Sequence, residues 1–312
     1  MKRFLIPLVC LLAFACAKPA PYHETPPAYR FAPGDHFDLT MAERLFHLPQ
    51  ASKEYPEEKS TLTRYKMSVV AVRPDGAAHL KLEPTFGQVS ISGHGRPSAT
   101  YEIWTDRPRD PDNHSEGSRY IRGIVNAALH VVVDHEGNWL RDFRGFTPPD
   151  NFLTNEKWAA DTPGLTVYPD RFSPKALPAF AQTFMPLDWL KTRAWEWSTN
   201  LVPHPPMTGY IPVVFGVRLT KREGSLLTLA GPGLAKGDAH VKPPLGIIQQ
   251  HDRTLSLELK EADLESRFDL NQGLPIECIV RYRWKTVRAV TGFGEVVSDD
   301  GQVLTFRLRR RL

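Results

Sequence analysis

The sequence has few cysteines, little net charge and few long apolar runs, and each shortage excludes a class of protein. Three cysteines in 312 residues are too few for a disulfide-stapled secreted scaffold. A net charge of +4, with Arg309 to Arg311 as the only basic run, is too small for a dedicated nucleic-acid binder. Beyond the first 16 residues, no apolar run approaches the length of about 18 residues that a transmembrane helix needs.

Motifs for catalysis and metal binding are also missing. The chain has no G-x-S-x-G, H-E-x-x-H, C-x-x-C or P-loop signature. His130 and His135 lie on either side of Asp134 near an expected turn, where solvated side chains are more typical than metal ligands. A run of carboxylates is expected to pair with basic side chains or face solvent; it comprises Glu258, Glu261, Asp263 and Glu265. We therefore predict a non-enzymatic protein without cofactor or metal, although a hydrolase with a site scattered along the chain stays open.

The first 16 residues have the pattern of an export signal. Lys2 and Arg3 precede an apolar run from Phe4 to Phe14, which has the length of a signal-peptide core and is too short to span a bilayer. Ala15 is a small residue directly before Cys16. The pattern predicts a signal peptide over residues 1–15, with cleavage between Ala15 and Cys16.

The stretch Leu12-Ala13-Phe14-Ala15-Cys16 resembles the lipobox of bacterial lipoproteins, in which a small residue precedes an obligatory cysteine. The resemblance implies a diacylglycerol thioether on Cys16, an acylated amino group and anchoring in membrane lipid. The residue after the cysteine is Ala17 rather than aspartate, which resembles the pattern of lipoproteins that are sorted to the outer membrane. Plain cleavage after Ala15, without lipid attachment, is the alternative interpretation of the same residues.

Behind this anchor the sequence divides into a tether and two β-rich halves around a helical insertion. Residues 16–34 contain five prolines and predict an extended tether. Residues 35–146 and 191–312 alternate apolar and polar side chains between glycine-containing turns, which is typical of β-strands. Residues 147–190 contain a Ser-Pro helix start and predict a few short helices.

Alternation with a period of two predicts half-buried antiparallel strands. The apolar members of the clearest runs are Phe37, Leu39 and Met41; Tyr65, Met67 and Val69; Leu80 and Leu82; Leu255, Leu257 and Leu259; and Leu304, Phe306 and Leu308. Turns are expected at residues 74–76, 222–224, 271–273 and 299–301. Cys278 lies in a similar run and is predicted to be a buried, unreactive thiol. The fold class is therefore mainly β, with curved antiparallel sheets in a half-barrel or sandwich and a few short helices inserted in the middle.

Aromatic residues are concentrated around the insertion and the strand that follows it. Trp195 and Trp197 would share one face of a strand, and Trp189 and Phe184 lie in the helical middle. These residues are interpreted either as solid core or as the lining of an apolar pocket for a hydrophobic ligand.

The anchored, mostly antiparallel plan is similar to that of lipoprotein-carrier half-barrels, in which a curved sheet holds acyl chains under short helices. The likeness is one of element pattern over roughly residues 35–310. It implies an outer-membrane lipoprotein of the bacterial cell envelope that binds a hydrophobic ligand or a protein partner. The alternatives are a structural or interaction module with a solid β core, and the hydrolase with a scattered site.

Overall fold

The computed structural model of the chain describes residues 29–50, 56–93, 96–104, 129–135, 139–140, 194–201, 209–241, 253–290, 292 and 294–311. Within these ranges the chain forms thirteen strands and no helix, so none that could cross a membrane. The strands are β1 (His36–Pro49), β2 (Glu57–Val72), β3 (Ala78–Gly93), β4 (Arg96–Trp104), β5 (Leu129–Val133), β6 (Trp139–Leu140), β7 (Ala194–Leu201), β8 (Gly209–Glu223), β9 (Leu226–Ala235), β10 (His240–Val241), β11 (Arg253–Asp269), β12 (Leu274–Val290) and β13 (Gly294–Arg310).

The strands belong to one open antiparallel sheet, which confirms that the fold is mainly β, whereas the few short helices are not confirmed. Their order is β10-β8-β9-β11-β12-β13-β1-β2-β3-β5-β6, with β4 beside β3 and β7 beside β8. β1 pairs with β13 from Phe37 opposite Arg310 to Pro49 opposite Ser298. The two β-rich halves are therefore continuous, and the first and last strands of the chain meet in the middle of the sheet.

The strands form because apolar side chains recur at every second residue. Along β1, Phe37, Leu39 and Met41 are buried, while their neighbours are exposed or half-buried. The predicted runs in β2 and β3 are buried in the same way. Each fully buried side chain of this size stabilises the fold by about 1.5–3 kcal/mol relative to leaving it in water.

The expected run Leu255, Leu257 and Leu259 in β11 is only partly confirmed. The register of β11 against β12 shifts between Thr254 and Ser256. Such an irregularity inserts a residue into one strand and reverses its alternation. Leu257 is therefore buried, whereas Leu255 is exposed.

Three of the expected turns are confirmed, and one is wrong. Gly76, Gly224 and Gly273 lie in these three turns, each with a positive φ. The second turn consists of residues 224–225, because Arg222 and Glu223 still belong to β8. The turn expected at residues 299–301 instead lies inside β13. Gly301 is there because a Cβ at this position would lie 1.8 Å from the tip of the Phe46 ring on β1.

The sheet curls strongly, so that strands far apart in it approach each other. The rings of Phe215 on β8 and Tyr282 on β12 lie 5.8 Å apart, edge to face. Three strand steps would separate these strands by about 14 Å in a flat sheet. The curl gives the sheet an inner, concave face and an outer face, and it produces a half-barrel.

The chain before β1 bridges two distant parts of this curled sheet. The Tyr29 N–H donates to the carbonyl of His135, just after β5, at 3.4 Å. The next amide, of Arg30, donates to the carbonyl of Gly273, just before β12, at 3.1 Å. β5 and β12 are five strand steps apart, about 24 Å in a flat sheet. Residues 29–34, predicted as the end of the tether, are therefore part of the folded body.

The outer face carries charged side chains that form ion pairs across neighbouring strands. Their N–O distances are 2.6 Å for Arg44–Glu58, 2.8 Å for Arg281–Asp263 and 2.7 Å for Arg307–Glu277. Exposed pairs of this kind contribute only about 0–1 kcal/mol each. Their main effect is to make this part of the outer face hydrophilic.

Several predictions fall on residues that the structure does not describe. They are the signal peptide, Cys16, the tether before Tyr29, and the helical insertion of residues 147–190.

Candidate functional site

The inner face of the half-barrel is apolar toward one end of its strands. The residues of this apolar zone come from β1, β2, β3, β11, β12 and β13, and each is buried: Phe37, Leu39, Met41, Tyr65, Met67, Val69, Leu80, Leu82, Leu264, Phe268, Cys278, Val280, Phe306 and Leu308. Strand register places them side by side, since Leu39 lies opposite both Leu308 and Tyr65. This zone is part of the hydrophobic core of the described residues, which continues onto β8 and β9.

Toward the other end of the same strands, the inner face becomes polar. The polar zone comprises Glu43, His47, Lys59, Thr61, Thr63, Thr286, Arg288, Ser298, Asp300 and Gln302, and all but His47 are buried. Buried ionic side chains are costly unless they are paired and hydrogen-bonded. The zone holds two buried carboxylates and two buried cations, so neither sign of charge is in excess.

Asp300 is the centre of the polar zone. One carboxylate oxygen, Oδ1, lies 2.6 Å from Nδ1 of His47, and the other, Oδ2, accepts hydrogen bonds from the hydroxyls of Ser298, at 3.0 Å, and Thr286. Nε2 of His47 lies 3.4 Å from Nη2 of Arg288. The side chain of His47 is 20% exposed and that of Asp300 only 1%, so the histidine is where this network meets solvent.

In the polar zone and directly beside it lie hydrogen-bonding atoms that the described protein atoms do not satisfy. Trp284 lies directly opposite Asp300 in the pairing of β12 with β13, and its Nε1 is buried with no partner among the described residues. The same holds for Oγ1 of Thr61 on β2. Elsewhere in the zone, the amide of Gln302 donates to the carboxylate of Glu43. Buried polar atoms are satisfied in the great majority of cases, so these two exceptions mark places where a polar group of a ligand would be stabilised.

The apolar zone is closed at its end by aromatic side chains that precede β1. Tyr29 is buried against Phe268, with ring centroids 5.9 Å apart, and Phe31 contacts Phe37 at 6.2 Å. A cavity of about 30 Å³ remains beside these rings, lined by Tyr29, Phe31, Leu39, Met67, Leu80, Val133, Pro275 and Leu308. It has room for little more than a water molecule.

The described residues do not test the aromatic pocket that the sequence predicts. The backbones of Trp195 and Trp197 on β7 pair with Val217 and Phe215 on β8. Trp189 and Phe184 lie outside the described residues, as does the lipidation site, Cys16. A pocket formed by these four aromatic residues therefore stays a prediction, and the described side chains draw attention to the inner face instead.

Cys278 is a buried thiol in β12, as the alternation of the sequence predicts. Its side chain belongs to the apolar zone, and burial raises its pKa to about 12. A thiolate is the reactive form of cysteine, so a thiol in this environment is inert.

His130, considered above as a metal ligand, pairs with another histidine. Its Nδ1 lies 2.9 Å from Nε2 of His79 on the neighbouring strand β3, and the two rings share one hydrogen bond. Burial lowers the pKa of both, and for His130 it falls to about 4, with smaller contributions from His79 and Lys81. No group of three potential metal ligands occurs within the described ranges.

The carboxylate run of β11 is paired mostly with basic side chains, as expected. Asp263 pairs with Arg281 at 2.8 Å, and Glu261 pairs with Arg283 at 3.5 Å. Glu258 contacts Lys260 at 2.6 Å. These groups lie on the exposed face, away from the polar zone.

The histidine pair should make stability depend on pH below 7. The pKa of His130 is about 4 in the folded protein and about 6.5 in the unfolded chain, so the unfolded chain binds the proton more readily. The stabilisation is complete above pH 6.5 and is lost as the pH falls toward 4. We expect the free energy of unfolding, measured by urea denaturation, to fall by about 1 kcal/mol from pH 7 to pH 5, less than full linkage predicts because His130 is only partly buried.

His130→Gln should remove most of this pH dependence. His135→Gln, at an exposed histidine five residues away, is the matched control and should retain it. Equal pH profiles for the wild type and His130→Gln would contradict the assignment.

Comparison with known proteins finds structural neighbours of low similarity. No protein-family model and no curated protein sequence matches it. A solved structure of lipid–protein interactions in lipovitellin aligns with 90% of this chain at 10% identity and a TM-score of 0.41, and the alignment spans only 26% of the lipovitellin chain. An outer membrane channel from Pseudomonas putida F1 aligns with 92% of this chain and 100% of its own, at 10% identity and a TM-score of 0.22. No functional residue is carried over from either.

Proposed function

We propose that the protein is a lipoprotein of the bacterial cell envelope, anchored through Cys16 in the outer membrane, whose half-barrel binds one amphipathic lipid. The observation that carries the proposal is the division of one inner face into an apolar zone and a polar zone. A lipid has the same two parts: acyl chains that gain free energy from apolar burial, and a head group that needs hydrogen-bonding partners.

The polar zone supplies partners for such a head group. Trp284 offers a buried N–H donor and Thr61 a buried hydroxyl, and neither has another partner among the described residues. Because the buried carboxylates and cations balance, the zone suits an uncharged or zwitterionic head group better than one with excess charge. His47, at the boundary with solvent, is placed to contact the part of the head group nearest the opening.

The arrangement around His47 favours binding over hydrolysis. An Asp–His pair activates a hydroxyl nucleophile through the second ring nitrogen. Here Nε2 of His47 faces the Arg288 guanidinium at 3.4 Å, which is a hydrogen-bond donor and cannot act as a nucleophile. A second candidate, an interaction module with a solid core, draws support from the small size of the apolar cavity.

Native mass spectrometry of the full-length protein, isolated from membranes of expressing cells, tests both parts of the proposal. The wild type should show a covalent acyl mass on Cys16 and a non-covalent lipid adduct. Cys16→Ser should lose the covalent mass and keep the adduct, which separates the anchor from the ligand. An unmodified Cys16 would contradict anchoring, and a folded protein without an adduct would favour the solid interaction module.

A further inference from the structure

The strap, defined as Tyr29 to Gly34, packs into the apolar zone without belonging to the sheet. Its two aromatic rings stack on each other, with centroids 5.9 Å apart. Tyr29 also meets Phe268 edge-on at 5.9 Å, and Phe31 meets Phe37 at 6.2 Å. The rings therefore fill the end of the half-barrel from which an apolar ligand would otherwise extend into the core.

The backbone of the strap is held at its start by two hydrogen bonds. The amide of Tyr29 lies 3.4 Å from the carbonyl of His135, and the amide of Arg30 lies 3.1 Å from that of Gly273. Typical N–H···O distances in proteins are about 2.9–3.0 Å, so the first bond is long. These bonds join loop ends rather than a strand ladder, and they can break without unpairing any strand.

The side chains beneath the strap are apolar. Leu39, Met67, Leu80, Val133, Pro275 and Leu308 line the remaining cavity of about 30 Å³. A cavity of this size admits one water molecule and no acyl chain. Two aromatic side chains cover up to roughly 300–500 Å² of apolar surface, and their withdrawal would expose a slot of that order.

We infer that the strap occupies the acyl-chain site of this protein and is displaced when a lipid binds. The inference rests on the proposed function and adds that the strap and the acyl chain compete for one site, because both would cover the same apolar side chains. Tyr29 is 13 residues from Cys16 in the sequence, a reach of at most about 45 Å. Displacement of the strap would therefore open the slot close to the membrane that supplies the lipid.

Binding measurements on the full-length protein test the competition, with a dansyl-labelled lysophosphatidylcholine, whose head group is zwitterionic, as the fluorescent probe. Removal of a competing segment raises the fraction of molecules that can bind, so Tyr29→Ala/Phe31→Ala should bind at least about tenfold more tightly than the wild type. Phe46→Ala is the matched control, because it removes an aromatic ring that packs on Gly301 away from the strap. It should bind like the wild type.

Hydrogen exchange on the wild type gives a second test that needs no substitution. Saturation with unlabelled lysophosphatidylcholine should speed exchange of the Arg30 amide at least about tenfold, because its bond to Gly273 breaks when the strap leaves. The amide of Gly273, which donates to the carbonyl of Asp269 at 2.8 Å in the adjacent turn, is the internal control and should not change.

Three outcomes are distinguishable. Tighter binding by the double variant, with faster exchange at Arg30 in the wild type, supports the inference. Equal binding by the double variant and the wild type, or unchanged exchange at Arg30 on binding, overturns the strap as a competitor and leaves the proposed function standing. Absence of binding by the wild type and both variants overturns the proposed function, and the inference with it. If the double variant does not fold, the exchange measurement decides.

Discussion

Asp300→Ala is expected to lower the free energy of unfolding by about 3–5 kcal/mol, the cost typical of removing one partner from a buried ionic network. The carboxylate accepts hydrogen bonds from Ser298 and Thr286 and lies 2.6 Å from Nδ1 of His47. Alanine would remove the acceptor that the two buried hydroxyls and the His47 ring share. Urea denaturation followed by circular dichroism measures the change.

Asp299→Ala is the matched control for this substitution. Asp299 is the preceding residue of β13 and points to the opposite face, where it accepts one hydrogen bond from the Gln50 amide at 2.9 Å. Its removal should change the free energy of unfolding by no more than about 0.5 kcal/mol. Similar losses for the two variants would show that the polar zone contributes no more to stability than the surface does.

Gly231→Ala in β9 is expected to destabilise the protein by about 3 kcal/mol, at the upper end of typical overpacking costs. A Cβ on Gly231 would lie 1.9 Å from the carbonyl oxygen of Gly216 on the neighbouring strand β8. Backbone atoms cannot rotate away as a side chain can, so β8 and β9 would have to separate where the sheet folds over β12. Thermal and urea denaturation of the variant measure the cost.

The same substitution at the facing glycine should have the opposite outcome. A Cβ on Gly216 would meet nothing within 4 Å. Gly216→Ala should therefore be neutral or slightly stabilising, since alanine restricts the unfolded chain more than glycine does. A similar loss for both variants would refute the close approach of the two strands and, with it, this part of the curl.

The strands were predictable from the sequence because they depend on a local pattern. Phe37, Leu39 and Met41 alternate with polar residues, and burial of one face follows from that period alone. The misassigned turn at residues 299–301 shows the limit of local patterns. An Asp-Asp-Gly sequence is typical of a hairpin, and only Phe46, more than 250 residues away, explains why glycine stands inside a strand there.

The polar zone could not be predicted in the same way, because it exists only after distant strands align. His47 and Asp300 are 253 residues apart in the chain, and neither stands in a recognisable motif. A signal was nevertheless present. The buried positions of β12 change from apolar, at Val280 and Tyr282, to polar, at Thr286 and Arg288. The antiparallel strand β13 also changes from apolar, at Phe306, to polar, at Asp300, toward the same end of the sheet. A change of polarity within one face of a strand indicates a site more directly than a motif does here.

The packing of the strap into the core could not be predicted from the sequence, for a different reason. Five prolines in residues 16–34 argue against a helix, but composition does not show whether an extended segment finds a partner. Tyr29 and Phe31 are aromatic residues at the end of this segment. Their burial depends on the curl of the sheet, which the sequence does not show. The same ambiguity applies to Trp195 and Trp197, whose pocket stays a prediction.

The pairing of the first strand with the last also has a consequence for how the molecule is made. Arg311 binds Asp38 across a sequence separation of 273 residues, so the centre of the sheet closes only when the final residues are available. Contacts of such long range slow folding, because a large loop must close before they form. Until then β1 and β12 are two open edges in what will become the middle of the molecule, and a nascent or truncated chain would be exposed to aggregation through them.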